Sequence, residues 1–272
     1  MFLWTGVMEI ENLLLQREKL AVVSSNLTGN IWNGQVTLGN YTNGAFTPTN
    51  TMYFNSGLKH GLWHGGKLYL SSDEGHLYIY SQELQLLYSS STHHDSVTAI
   101  AKKAKNLISA DQYEIFLLDE ELKKISRYQA QNIHGLLWTS EWTFLAASDR
   151  FLTLYDTRSE DKKNVCEVCE RCVKILGNEQ KVYLATASGL LEYENATEIK
   201  KFTEVPGIVS SLGLSKEKVY IGTETGDVVK IDIGTGILER AKVHSDVVTG
   251  VAVGVEALLT GSFDRKIIVS PL

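Results

Sequence analysis

The sequence predicts an all-β fold built from repeated units of short strands, and three observations carry that prediction. The first is a period. Leu70-Ser71-Ser72-Asp73, Ile108-Ser109-Ala110-Asp111 and Leu145-Ala146-Ala147-Ser148-Asp149 are apolar strands that end in small residues and an aspartate, and the aspartates stand 38 apart. Copies at the same pitch are Tyr183–Gly189, Tyr220–Asp227 and Leu258–Asp264, with a looser one at Leu20–Asn26, which makes seven. The second observation is alternation. The strands His76–Tyr80, Glu114–Leu118 and Phe151–Asp156 follow their aspartates with side chains of period two, whereas stacked helix pairs need apolar residues at i, i+3 and i+4. Only Glu9 to Lys19 admits a helical period. The third is turn chemistry: 22 glycines beside 3 prolines suit many strands joined by tight turns, because proline removes a ladder donor. Another strand precedes the copies, as in Ser96–Ile100, Gly207–Leu212 and Asp246–Val251. Three or four strands in about 38 residues is one blade of a β-propeller, so seven blades are expected.

Closure comes next. One blade cannot bury both faces of its sheet, so blades must stack and the ring must close. The last unit stops after the strand Lys266–Val269 and supplies only three strands. The fourth is expected from the N-terminus, within Phe2 to Ile10. Residues 1–272 then form a single β-propeller domain, with a short N-terminal closing segment of about 1–19.

Composition excludes several classes of function. The net charge is −6 and lysine pairs are scattered, so the clustered basic charge of a nucleic-acid footprint is absent. No stretch reaches the roughly 18 apolar residues of a membrane span. The opening MFLWTGVMEIEN lacks a basic region and a long apolar run, so it does not read as a signal peptide. Cys166, Cys169 and Cys172 are odd in number and crowded, which points to a reducing compartment. The sequons at Asn26, Asn40 and Asn195 read as chance without export. As a metal site the three thiols fall short, because zinc and iron–sulfur clusters ask for four ligands.

Tyr155-Asp156-Thr157-Arg158, His94-Asp95-Ser96-Val97 and His244-Ser245-Asp246-Val247 resemble segments of the WD-repeat family. The resemblance spans nearly the whole chain, although Tyr80-Ser81, Leu118-Asp119 and Ile231-Asp232 replace the Trp-Asp dipeptide. It implies that His94 and His244 bond a hydroxyl and an aromatic of their own blades rather than act in acid–base chemistry. Asp73, Asp111, Asp149 and Asp264 recur in register and read as turn residues. Ile231-Asp232-Ile233-Gly234-Thr235-Gly236 mimics the glycine loop that binds S-adenosylmethionine, but no third glycine or helix follows. A hairpin whose glycines take positive φ is the expectation there. No cofactor and no enzymatic activity are expected.

The first blade differs from the rest. Asn26 to Asp73 is 47 residues, and the extra length is expected in loops. Gly29 and Gly34 bracket Trp32, flanked by Asn30 and Asn33. A tryptophan on such a short turn is either tucked into its own blade or held out toward a partner. Asn26-Leu27-Thr28-Gly29-Asn30-Ile31-Trp32-Asn33-Gly34 resembles the corresponding run in the methylosome WD-repeat family, the partners of a type II protein arginine methyltransferase. Leu62-Trp63-His64-Gly65 and Ser72-Asp73-Glu74-Gly75 fit the same family. The resemblance implies a non-catalytic adaptor, cytoplasmic and nuclear, that binds the enzyme and helps present histones and Sm proteins. Trp32, Asn30, Ile31, Asn33 and Leu27 are then the candidate partner-binding residues. The alternative is a generic scaffold of another complex, such as a ubiquitin-ligase substrate receptor.

Overall fold

A computed structural model of the chain describes residues 2–5, 8–28, 31–42, 44–159, 162–168, 170–177, 180–187, 189–194, 197–202, 205 and 207–272, with backbone alone for 2–5, 27, 28, 31 and 197–201. Every regular element in it is a strand, and the strands form seven antiparallel four-stranded sheets. Blade 1 is β2 (Glu9–Gln16), β3 (Lys19–Thr28), β4 (Ile31–Thr42) and β5 (Ala45–Phe54). Blade 2 is β6 (Leu58–His64), β7 (Lys67–Ser72), β8 (His76–Tyr80) and β9 (Leu86–Ser91). Blade 3 is β10 (Ala99–Lys103), β11 (Asn106–Ala110), β12 (Glu114–Leu118) and β13 (Lys124–Gln129). Blade 4 is β14 (Ile133–Trp138), β15 (Thr143–Ser148), β16 (Phe151–Asp156) and β17 (Lys162–Glu167). Blade 5 is β18 (Cys172–Gly177), β19 (Lys181–Thr186), β20 (Gly189–Glu194) and β21 (Thr197–Phe202). Blade 6 is β22 (Val209–Leu214), β23 (Lys218–Thr223), β24 (Asp227–Asp232) and β25 (Leu238–Lys242).

The last sheet closes as the strand count demands. It consists of β26 (Val248–Val253), β27 (Ala257–Ser262) and β28 (Lys266–Pro271), completed by β1 (Phe2–Thr5). Phe2 pairs with Ile268 and Thr5 with Lys266. Among the described residues, 2–5 do the closing, since 9–16 already form the first strand of blade 1. That strand also corrects the helical reading of Glu9 to Lys19. In blade 1 the extra length lies in the strands rather than in loops: β3, β4 and β5 run ten, twelve and ten residues.

The chain divides into two compact units, Met1–Asp73 with Tyr78–Leu87 and Ser210–Leu272, and Glu74–Leu77 with Tyr88–Val209. In the first, Ile10, Leu13, Leu20 and Val22 of blade 1 bury against Ala252, Leu259 and Ile267 of blade 7. Val23, Val36 and Leu38 meet Leu58, Leu68 and Leu70 of blade 2 in the same way. In the second unit, Ile108, Ile115 and Leu117 pack on Ile133, Trp138, Phe144 and Tyr155, and Leu145 and Leu152 pack on Ile175, Val182 and Leu184. Burying each such side chain stabilises by about 1.5–3 kcal/mol.

The first strands of five blades share a device. Their register slips at Ile10/Asn12, Leu58/His60, Ile133/Gly135, Cys172/Lys174 and Val248/Gly250. A bulge puts one extra residue on the strand and re-aims its side chain. The extra residues Glu11, Lys59 and His134 are all ionisable, and the first two shape the site described next.

Candidate partner-binding site

The site grows from the hairpin of β3 and β4, which pair without interruption from Lys19↔Asn40 to Thr28↔Ile31. Blade 2 comes close to this hairpin. A Cβ on Gly34 would stand 2.5 Å from the Ser56 carbonyl oxygen, so no larger residue fits there. The Ser25 hydroxyl donates to the Leu58 carbonyl and accepts from the Leu58 N–H, each at 2.9 Å. Gly34 and Ser25 therefore serve the join to blade 2.

Trp32 stands in β4 opposite Leu27 and keeps 42% of its surface exposed. It lies in a strand and not on a turn, as its glycine neighbours had suggested. One edge is packed: the indole Nε1 would be 1.9 Å from a Cβ on Gly57, and Asp73 Oδ2 would be 2.1 Å from it. Gly57 leaves the space that both groups use. Asn33 is half-buried, paired across the hairpin with Asn26. Asn30 lies outside the described residues, as do the side chains of Ile31 and Leu27.

Charge gathers beside the indole. Lys59 Nζ sits 3.2 Å from Asp73 Oδ1, and the Asp73 N–H donates to the Gly57 carbonyl at 3.0 Å. Glu11 is drawn into the same group. Burial, reinforced by the Asp73 carboxylate and opposed by Lys59, pushes its carboxyl up to about 7. The resulting surface pairs a half-exposed indole with two carboxyls and one lysine. Glu11 and Lys59 were missed from sequence. The pattern that exposes them is an apolar residue followed by an ionisable one near the start of three of the five bulged strands: Ile10-Glu11, Leu58-Lys59 and Ile133-His134.

The other candidate residues take structural positions. In blade 3 the buried histidine is His93, with His94 exposed, which moves the expected position by one. His93 lies 3.0 Å from Asp111 Oδ2 and 2.8 Å from Ser109 Oγ, with Phe116 edge-on at 5.0 Å. His244 repeats the pattern with Asp264 at 3.0 Å and Thr260 at 2.9 Å. Burial holds both imidazoles below the ordinary histidine range. A neutral ring fits this network, with Nδ1–H donating to the carboxylate and Nε2 accepting from the hydroxyl. Two of the recurring aspartates hold turn amides: Asp111 Oδ1 accepts from the Tyr113 and Glu114 amides at 2.8 Å, and Asp264 Oδ1 from the Lys266 amide at 3.0 Å, whereas Asp73 and Asp149 meet side chains. His134 reaches Asp149 at 2.7 Å.

The methyltransferase-like loop is a hairpin turn. Asp232 Oδ1 accepts from the Thr235 amide at 2.7 Å and from its hydroxyl at 2.8 Å, and the chain enters β25 rather than a helix. Gly236 alone supplies positive φ, at 74°. Cys172 is buried and Cys166 half-buried, while Cys169 lies outside the described residues. Burial pushes the Cys172 thiol up, so it stays protonated. Among the described residues, no group of three or more His, Cys, Asp or Glu is placed to hold a metal ion.

No protein-family model matches the chain, and no curated protein matches it. Solved structures do. The WD40 β-propeller domain of Doa1 shares 13% identity over 99% of this chain and 94% of its own, with a TM-score of 0.85. A chain of a mitotic checkpoint complex shares 13% over 100% and 90%, at 0.80. The computationally designed protein Ika8 shares 15% over 100% and 98%, at 0.75. At such identities the likeness is one of fold. Seven four-stranded sheets, the closing first strand and full-length overlap make this chain a seven-bladed β-propeller of the WD40 type.

Proposed function

We propose that the protein is a non-catalytic adaptor that docks on a type II protein arginine methyltransferase through blade 1. In that role it helps present basic, arginine-rich substrates such as histones and Sm proteins, in the cytoplasm and the nucleus. The observation that carries the proposal is Trp32, anchored along one edge by Gly57 and left 42% exposed beside the Glu11–Lys59–Asp73 group. Large aromatics held in place with an open face are the usual anchors of protein interfaces. A net charge of −6 suits basic substrates by long-range attraction. In the broader reading, the same surface serves a scaffold of another complex.

Affinity capture of the tagged protein from native extract, read by mass spectrometry, distinguishes the two. The methyltransferase should co-purify with the native chain. Trp32→Ala should lose it, at a cost of about 2–4 kcal/mol of binding, and should melt close to the native protein. A mutant that melts several degrees lower yet still captures the enzyme would place Trp32 in the core. Capture of a different complex would retain the adaptor and replace its partner.

A further inference from the structure

A second site lies far along the chain from Trp32. A cleft of about 570 Å³ opens between the outer strands of blades 3 and 4. Its floor is apolar, with Ile133 and Tyr155 buried in the core cluster of that unit. Along β16, Phe151, Thr153 and Tyr155 line the cleft, while Leu152 and Leu154 turn the other way and pack with Val182 and Leu184. Cross-strand pairing sets Asn164 opposite Thr153 and Lys162 opposite Tyr155, so β17 presents both to the same cleft.

The polar groups are arranged to donate. The Thr153 hydroxyl donates to Asn164 Oδ1 at 3.0 Å, which orients the amide and leaves Nδ2–H as a donor. Lys162 Nζ reaches the Gln129 carbonyl across the cleft, at 3.4 Å. Among the described lining residues Glu114 is the one carboxylate, and Arg127 engages it at 2.5 Å. Among the described residues no ion pair engages this lysine, in a chain whose net charge is negative. At the mouth stand Tyr113, 59% exposed, and Phe151, 36% exposed. β17 also ends its sheet, so one row of its backbone groups has no strand beside it.

We propose that this cleft binds an extended acidic peptide, juxtaposing Lys162 and Asn164 with a carboxylate side chain and Tyr113 and Phe151 with an apolar one. Cationic charge selects the carboxylate. The open edge of β17 favours a peptide over a free carboxylic acid, because an extended backbone can add to it as a further strand. No described lining residue belongs to blade 1, so the site can be tested independently of Trp32.

Fluorescence anisotropy tests it with the full chain and a fluorescein-labelled probe of sequence Asp-Glu-Phe-Asp-Glu, amidated at its C-terminus. Binding is expected in the range of about 10–100 μM, weakening as salt rises. Lys162→Glu, at an exposed position, should weaken it at least about tenfold without moving the melting temperature. Asn164→Asp, which swaps the donor for a carboxylate in the same volume, should do likewise, and Trp32→Ala should change nothing. A Lys-Lys-Phe-Lys-Lys probe should bind at least about tenfold more weakly, and millimolar free glutamate should not compete. Equal binding of the two probes, unchanged affinity in both charge variants, or competition by glutamate would overturn the proposal.

Discussion

Glu11 shows how one backbone irregularity sets the chemistry of a side chain. The bulge in β2 turns its carboxyl into half-buried space beside Asp73, where its pKa is pushed up from 4.5 to about 7. The folded protein therefore binds a proton that the unfolded chain has released between those pH values. Stability falls as pH rises through the window from about 4.5 to 7 and stays lower above it. Glu11→Gln should remove the penalty, gaining about 2 kcal/mol at pH 8 and little at pH 4. Urea unfolding at the two pH values checks this, and an equal change at both would show that the carboxyl is not the source. Trp32 stood out in the sequence because nothing like it occurs in another blade. Its packing neighbours did not stand out: Gly57 and Asp73 are distant in sequence, and only the fold brings them to the indole.

At the level of strands, the N-terminal segment makes the sharpest test. Removing residues 1–7 deletes β1 and leaves β2 whole, so β28 gains an open edge. The truncated protein should melt several degrees lower and aggregate at concentrations the full chain tolerates. An unchanged melting temperature would refute closure by β1. Gly250 tests how closely the first strands of blades 1 and 7 approach. A Cβ there would stand 2.8 Å from the Leu13 backbone nitrogen and 3.0 Å from Leu13 Cγ, and a backbone atom cannot swing aside. Gly250→Ala should cost about 1–3 kcal/mol, measured by urea unfolding, with secondary structure retained by circular dichroism. A neutral substitution would mean that blade 7 has room to shift. Most strands were legible because alternation survives wherever pairing is regular. Glu9–Gln16 was misread for a definite reason. An extra residue at Glu11 breaks period two for one step and spaces Ile10, Leu13 and Leu14 as i, i+3 and i+4, which imitates a helix.

For the molecule as a whole, the Gly234-Thr235-Gly236 turn predicts that the purified chain binds no S-adenosylmethionine. The Thr235 amide already donates to Asp232 and the Gly236 amide to the Asp232 carbonyl, at 2.7 and 2.8 Å, so neither is offered to a cofactor. Calorimetric titration should give no saturable heat up to about millimolar cofactor, and micromolar binding would contradict the adaptor assignment. The seven-bladed architecture was readable because each repeat reports it again. Partner identity was not, since the residues proposed for recognition occur once and lie on different blades. The pairing of β1 with β28 also bears on synthesis. Among the described strands, β1 is made before the others, and its sheet neighbour β28 is made after all of them. Throughout translation this strand must wait without a partner while the blades after it fold one by one. A nascent chain stalled before Lys266 should therefore display residues 2–5 to proteases and chaperones, and emergence of β28 should hide them.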